Sequence, residues 1–381
     1  MQAKNGSAGS RRTRGRAMMF VLMLALAVSA VVFAPAAANA EEVAPAPAGP
    51  MYLALGDSIS FGYSAQKFAE NEPTESPSRF ETGVANDLVK LLRKSVGKNL
   101  DLVNLACPGE TSNGLIGENP LLGGQVSTEA EDPPAHFQGP GDWHPCAYHN
   151  ADGFPLHAGY GKLSQLEDAL SILTQPNKIT GKPNEVKAIT LNIGNNDVLG
   201  LLNQCTYVVT TEFEETGKSK YGPTPESAVL ACFESKIESQ TIPQILNNVA
   251  DTLTQLEAVY TGPIILFAGY DPLSFVHPGF DLIAAGINKE FEKMIPSFPH
   301  TTIANPFPVF NKGYESHLKT KLKEEEEEQK SICKYTEMCN PNVQAVGGTP
   351  MGKDGDIHPS AKGYSELAKL AAAAYSANPA K

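Results

Sequence analysis

Four short blocks of this chain carry side chains suited to acyl transfer. The first closes an apolar run, Met51-Tyr-Leu-Ala-Leu-Gly-Asp-Ser58. The others are Cys107-Pro-Gly109, Gly194-Asn-Asn196-Asp197 and Asp356-Ile-His358-Pro359. Together they supply a hydroxyl, an imidazole, a glycine amide and a carboxamide. A serine needs a neighbouring base to act as a nucleophile near neutral pH. The anion formed when it attacks a carbonyl needs preorganised N–H donors. Ser58 fits the nucleophile and His358 the base, while Gly109, Asn196 and the Ser58 amide fit the donors. Each residue taken alone has a plainer reading: Ser58 as a helix N-cap, Gly109 and Asn196 as turn residues, and His358 as one of eight histidines. Their joint placement decides between the readings. Ser58, Gly109 and Asn196 each lie just beyond a short apolar run, the pattern of a buried strand feeding a loop. In an open parallel sheet, such loops line one crevice at the carboxyl ends of the strands. His358 precedes Pro359, which pushes its backbone toward extended geometry.

The elements needed to position these blocks are visible as apolar runs alternating with helical periodicity. Strands are expected at Tyr52–Leu55, Leu100–Leu105, Val186–Ile193, Pro263–Ala268 and Thr301–Ala304. Helices are expected at about 79–96, 163–173, 221–260, 281–294 and 360–375. This alternation predicts an α/β domain with a parallel sheet covered on both faces. The stretch from Gly109 to Tyr160 reads as one long Gly/Pro-rich loop, a length that is often functional. It holds the sole tryptophan, Trp143, with Phe137 and Tyr148 as candidate walls of a substrate pocket. It also holds His136, His144, His149 and His157 near Asp142 and Asp152. Such donors suit zinc, but a hydrated loop has the same composition, and no metal site is assigned. Lys319–Lys330, with five consecutive glutamates, reads as a solvated surface helix or loop.

The four blocks, in this order, resemble the GDSL hydrolases, also called SGNH hydrolases after Ser, Gly, Asn and His. Here those residues are Ser58, Gly109, Asn196 and His358, and the resemblance extends from Met51 to Ala373. It implies a three-layer α/β/α, flavodoxin-like fold whose central parallel sheet has five strands in the order 2-1-3-4-5. Its switch point would lie between strands one and three. It further implies a Ser–His acyl-enzyme mechanism without a cofactor, acting on carboxylic esters of the lipase or esterase kind, with a lipid or small acyl ester as substrate. Carbohydrate O-deacetylation is the alternative chemistry, and a non-catalytic binding protein on the same fold is the alternative class. The Gly-x-Ser-x-Gly elbow of α/β-hydrolases is not met, because residue 60 is serine. One position departs from the family pattern, which places an aspartate three residues before the histidine. That position is Gly355, with Asp354 and Asp356 on either side. A dyad whose imidazole is oriented by the Gly355 carbonyl is therefore expected, with the Asp356 carboxylate as the competing orienter.

The N-terminus reads as an export signal over 1–40. Arg11, Arg12, Arg14 and Arg16 precede the apolar stretch Met18–Phe33, and Ala38-Asn39-Ala40 resembles a cleavage site. A Pro/Ala linker would follow over 41–50, and the hydrolase domain would occupy 51–381. This organisation implies a secreted or otherwise extracytoplasmic protein with no stable membrane insertion after signal removal. The formal net charge is −12 over the whole chain, and it becomes more negative when Lys4 and the four arginines leave. An acidic chain without a basic patch argues against nucleic acid as a partner, and a monomer is expected. Six cysteines behind a signal peptide read as disulfides, and the lack of any Cys-x-x-Cys argues against a zinc or thiol-redox motif. Sequence spacing leaves the pairing open. Secreted members of the family resemble a sequential pattern, here Cys107–Cys146, Cys205–Cys232 and Cys333–Cys339.

Overall fold

Strand β1 (Met51–Gly56) is buried along its whole length because it is the strand from which the molecule is built outward. In the computed structural model, whose described residues are 46–71, 76–117, 156–158, 164–275, 279–314, 323–340, 356–378 and 380, it pairs in parallel on both sides. On one side lies β2 (Asp101–Asn104), with Leu53 opposite Val103. On the other lies β3 (Val186–Asn192), with Leu53 opposite Ile189. Beyond β3 come β4 (Ile264–Phe267) and β5 (Thr301–Ala304), again parallel. The order is β2-β1-β3-β4-β5, the 2-1-3-4-5 arrangement that the resemblance implied. The signal segment at 1–40 and residues 41–45 of the linker lie outside the described residues.

The two-residue period of a strand sends alternate side chains to opposite faces, and both faces here are apolar. Met51, Leu53 and Leu55 join Ile189, Leu191 and Ile264 under α-helices on one side. The main cover there is the long helix at Ile242–Val259, whose Ile245, Val249, Leu253 and Leu256 are fully buried. Tyr52 and Ala54 face the other way, against Val84–Leu92 and the last helix, Ala361–Ala377. The Tyr52 hydroxyl meets Thr190 Oγ1 at 2.6 Å, so its buried oxygen is satisfied within the sheet. Full burial of each aliphatic side chain contributes about 1.5–3 kcal/mol.

Helices complete these layers. In chain order they are α1 (Ser58–Phe61), α2 (Ala65–Asn71), α3 (Val84–Leu92), α4 (Ser112–Leu115), α5 (Gln165–Thr174), α6 (Asn195–Thr216), α7 (Pro225–Lys236), α8 (Ile242–Val259), α9 (Phe280–Met294), α10 (Phe307–Phe310), α11 (Lys323–Tyr335) and α12 (Ala361–Ala377). Residues Ile237–Thr241 between α7 and α8 form a π-helical turn. A short antiparallel ribbon of β6 (Thr336–Glu337) and β7 (Asp356–Pro359) lies outside the main sheet.

Helix α6 corrects the sequence reading, which assigned no helix to this stretch. Its middle, Thr206-Tyr-Val-Val-Thr-Thr211, is dominated by β-branched residues that lose χ1 freedom in a helix. Tertiary contacts override that preference. Leu201, Leu202, Cys205 and Val209 pack against Ala228, Cys232 and Phe233 of α7 in a separate small core. A Cys205–Cys232 disulfide ties the two helices at a Cα separation of 5.6 Å. Cys333 and Cys339 are also bonded, joining the end of α11 to the turn after β6. Cys107 is disulfide-bonded as well, and Cys146 lies outside the described residues. In the glutamate run, Glu326 and Glu327 are solvent-exposed, as a solvated helix requires. Glu328 instead turns inward, where Asn311 Nδ2 donates to its Oε1 at 2.9 Å. Among the described residues, no helix is long and apolar enough to cross a membrane.

Candidate active site

The end of β1 is built for a tight turn. Gly56 has φ of 132°, and a Cβ there would stand 2.1 Å from the Asn192 carbonyl oxygen, so only glycine lets β1 and β3 close up at this point. Asp57 follows as the N-cap of α1, its Oδ1 accepting from Ile59 N at 2.9 Å. Because Asp57 caps the helix, the Ser58 hydroxyl is released from the capping role that serine often takes. It lies 2.8 Å from His358 Nε2. The other ring nitrogen, Nδ1, meets Asp356 Oδ1 at 2.5 Å. The structure therefore aligns Ser58, His358 and Asp356 in one hydrogen-bonded chain. Of the two orienting groups weighed from the sequence, it is the Asp356 carboxylate that meets the ring. Gly355 lies outside the described residues.

Asp356 is well prepared for that contact. It is 5 % exposed, its Oδ1 also accepts from its own strand's His358 N at 3.0 Å, and its Oδ2 accepts from Ala65 N at 2.9 Å. Burial alone would push this carboxyl up, but the neighbouring His358, with the hydrogen bonds from His358 and Ala65, outweighs it and holds the group at about 2. A carboxylate that stays ionised accepts from the imidazole Nδ1–H and stabilises the imidazolium formed when Nε2 takes a proton. Strand β7 itself is anchored from outside: Tyr270 Oη donates to the Ile357 carbonyl at 2.9 Å, and the Tyr63 ring lies 4.7 Å from the His358 ring.

The remaining two blocks reach the same end of the sheet. Cys107 N donates to Gly56 O at 3.0 Å, extending the β1–β2 ladder by side-by-side contact. Residues 107–110 then turn, with Glu110 N bonded back to Cys107 O at 3.2 Å and Gly109 at φ 79°. Pro at the second position and a left-handed Gly at the third are the signature of a type II turn. Asn196, in the first turn of α6, donates one Nδ2 hydrogen to Glu110 O at 2.9 Å, which leaves its second N–H for another acceptor. Asn196 and Ser58 line the same cleft.

Buried polar side chains that the sequence reading did not single out lock these loops together. Gln165 grips Gly56 from both sides, accepting from its N at 2.8 Å and donating to its O at 2.9 Å, and also donates to Glu110 Oε2 at 2.9 Å. Asp197 accepts from Ser112 N at 2.9 Å and from Ser112 Oγ at 2.6 Å, and Asn248 Nδ2 donates to Ser112 Oγ at 3.0 Å. Burial pushes Asp197 up to about 6 and Asp57 up to about 7, the latter against the pull of the Ile59 amide, His358 and Asn195. Gln165 belongs to a capping-box helix and Asp197 stands inside the third block, but only the folded chain shows which loops they bridge. Of the loop histidines, His157 is described. It is held as a packing residue, its Nε2 2.9 Å from the Phe61 carbonyl oxygen and its ring 4.5 Å from that of Phe61. His136, His144 and His149 lie outside the described residues, as do Phe137, Trp143 and Tyr148. Among the described residues, no group of three His, Cys, Asp or Glu side chains is arranged to hold a metal.

The cleft in front of Ser58 has a volume of about 90 Å³ and opens to solvent. The lining includes Phe280, Ile283, Ile287 and Phe291, which fall in a helical stripe on α9, and Val198 and Leu199 of α6.

The family model of the GDSL-like lipase/acylhydrolases matches residues 52–371. Solved structures to which this chain is similar include a lipolytic G-D-S-L protein from Veillonella parvula, at 11 % identity over 86 % of this chain and 100 % of that one, with a TM-score of 0.38. An acetylxylan esterase from Geobacillus stearothermophilus is 12 % identical over 84 % of this chain and 92 % of its own, with a TM-score of 0.36. An α/β hydrolase from the metagenome of Lake Arreo is 14 % identical over 86 % and 95 %, with a TM-score of 0.35. No curated protein matches the sequence. With the family model spanning most of its length, this chain belongs to the GDSL-like lipase/acylhydrolase family.

Proposed function

We propose that the protein is a serine esterase that hydrolyses carboxylic esters of medium or long acyl chains. The observation that carries this reading is the hydrogen-bonded chain from Ser58 Oγ through His358 to Asp356, opening onto an apolar cleft. His358 Nε2 takes the Ser58 proton as Oγ adds to the ester carbonyl. Asp356 keeps the imidazole in the tautomer whose Nε2 is free to accept. The Ser58 amide, the Gly109 amide and the second N–H of Asn196 are the candidate donors to the oxyanion. First-turn amides have no acceptor within their own helix, so the Ser58 N–H suits that task. Collapse of the adduct breaks the C–O bond to the alcohol, which leaves with the proton held on His358. Water, deprotonated by the same nitrogen, then releases the acid and restores Ser58. The reaction needs no cofactor.

The apolar stripe on α9 favours a fatty acyl group over acetyl, and so argues for a lipase- or esterase-like activity over deacetylation. With a signal at 1–40, the working enzyme would begin at Glu41 and act outside the cytoplasm. The test is hydrolysis of p-nitrophenyl esters from acetate to palmitate by protein beginning at Glu41, beside Ser58→Ala. Turnover that rises with chain length to at least octanoate and disappears in the variant is expected. A preference for acetate would refute the acyl assignment, and equal rates in both proteins would refute the serine mechanism.

A further inference from the structure

We propose that the Cys333–Cys339 disulfide is a positioning clamp for His358, and that a dithiol which opens it turns the catalytic site down reversibly. This inference rests on the esterase reading. The bond brackets β6: Cys333 lies near the end of α11, Cys339 follows the strand, and the sequence separation is six. Inside that small loop, Thr336 pairs with Pro359 and Glu337 with Asp356. The Tyr335 carbonyl accepts from Ser360 N at 2.9 Å, and Ser360 Oγ donates to the Lys334 carbonyl at 3.3 Å. A Cβ at Gly363 would stand 1.9 Å from the same Tyr335 oxygen, so α12 starts hard against the loop. Residues 334–337 therefore hold the chain on both sides of His358, at Asp356 before it and at Pro359 and Ser360 after it. A two-residue strand makes few ladder bonds of its own, and closing its loop restricts the conformations open to it. Catalysis is sensitive to such restriction, since a misplacement of about 1 Å can cost on the order of 10² in rate.

The cysteines differ sharply in access. Cys339 is exposed and Cys333 half-buried, whereas Cys107, Cys205 and Cys232 are fully buried. Thiol–disulfide exchange requires approach to a sulfur, and exposed disulfides are the labile ones. A thiolate of the dithiol attacks Cys339 Sγ, the S–S bond breaks, and Cys333 leaves as a thiolate that takes up a proton. The second thiol of the reagent then displaces Cys339, so the dithiol supplies both electrons and ends as its own disulfide. The loop stays tethered after reduction. Thr336 and Met338 are buried, and Thr336 Oγ1 donates to the Ile332 carbonyl at 2.7 Å. Opening the bond therefore loosens the ribbon without unfolding the sheet, and the loss of activity is partial and recoverable. Full activity becomes a property of an oxidising environment, where such bonds persist.

The experiment titrates folded wild-type protein with dithiothreitol and assays it on p-nitrophenyl octanoate. Free thiols are trapped with iodoacetamide and located by peptide mass spectrometry. The expected result is alkylation of Cys333 and Cys339 before Cys205 and Cys232. It is accompanied by a fall in kcat of about ten- to a hundredfold, with KM held within about twofold, as displacement of a catalytic group requires. An aliquot left unalkylated and reoxidised should recover its kcat. Cys333→Ser combined with Cys339→Ser should begin at the lowered kcat and no longer respond to dithiothreitol. Full kcat with Cys333 and Cys339 alkylated, or a loss that follows another cysteine pair, would overturn the inference while leaving the esterase intact. If octanoate hydrolysis does not depend on Ser58, the esterase reading fails instead. Hydrogen exchange then decides the clamp by itself: faster exchange of the Ile357 and His358 amides on reduction, with β1 unchanged, supports it, and unchanged exchange in β7 refutes it.

Discussion

The nucleophile and the base are held by two different kinds of structure. Ser58 is delivered by β1, which is paired on both sides and buried on both faces, and the turn after it is clamped by Gln165 and Asp57. His358 is delivered by a ribbon of two short strands outside the main sheet. It is held at its working distance by a few hydrogen bonds: Ala65 N to Asp356, Tyr270 Oη to the Ile357 carbonyl, and its own Nδ1 to Asp356. Apolar burial fixes the first half of the site through many small, interchangeable contacts, whereas a few individually necessary polar contacts fix the second. Damage should therefore be graded on the sheet side and abrupt on the ribbon side.

The sharpest way to break that contrast is Asp356→Ala. It removes the carboxylate from both the His358 ring and the Ala65 amide, and a fall in kcat on the order of 10²–10⁴ is expected, with little change in KM. A loss of less than fivefold in a steady-state assay would mean that the ring is oriented by something else, and the Gly355 carbonyl would again be the leading candidate. Asn196→Ala comes next, with an expected loss of about 10²–10³ in kcat if its amide serves the oxyanion. A change confined to KM would reassign it to substrate binding.

Asp57 tests the sheet side through stability. Its carboxyl is raised to about 7 by burial, so between roughly pH 4 and pH 7 the unfolded chain loses this proton while the folded chain keeps it. Stability from this group therefore falls as pH rises through that window, the opposite of Asp356, whose depressed value adds stability above about pH 4 that is lost as pH falls through about 2. Asp57→Asn keeps the Oδ1 acceptor for Ile59. It should gain roughly 2 kcal/mol on the wild type between pH 5 and pH 8 in urea unfolding, and a pH-independent difference would show that Asp57 does not titrate there. The smallest effect is expected from Tyr270→Phe, which removes only the anchor on the Ile357 carbonyl. About 1 kcal/mol of stability and a several-fold drop in kcat should follow, visible in calorimetry and in the same ester assay.

The same contrast explains what the sequence made legible. The ends of the strands and the blocks of Ser58, Gly109 and Asn196 could be read because each is signalled locally, by an apolar run that stops at Gly or a small polar residue, while the sheet order was implied by the family resemblance. Strand β5 at Thr301–Ala304 has the bounds the apolar pattern implies. Helix α6 was invisible because Thr206–Thr211 argues locally for a strand, and its helicity is supplied by α7 and a disulfide distant in sequence. The Asp356 contact was only half visible. The residue could be named as a rival to Gly355, but its second partner, Ala65, lies 291 residues away and has no side-chain chemistry to announce it. Gln165 and Asp197 were hidden in the same way, since a buried bridge between loops leaves no periodic trace.

The most direct test of the account is covalent labelling of protein beginning at Glu41 with a fluorophosphonate, followed by peptide mass spectrometry. Attack by Ser58 Oγ forms a P–O bond and expels fluoride. The account predicts a single adduct on the peptide carrying Ser58, formed rapidly in the wild type and at least a hundredfold more slowly in His358→Ala. An adduct at another residue, or labelling of Ser58 at the same rate without His358, would contradict it.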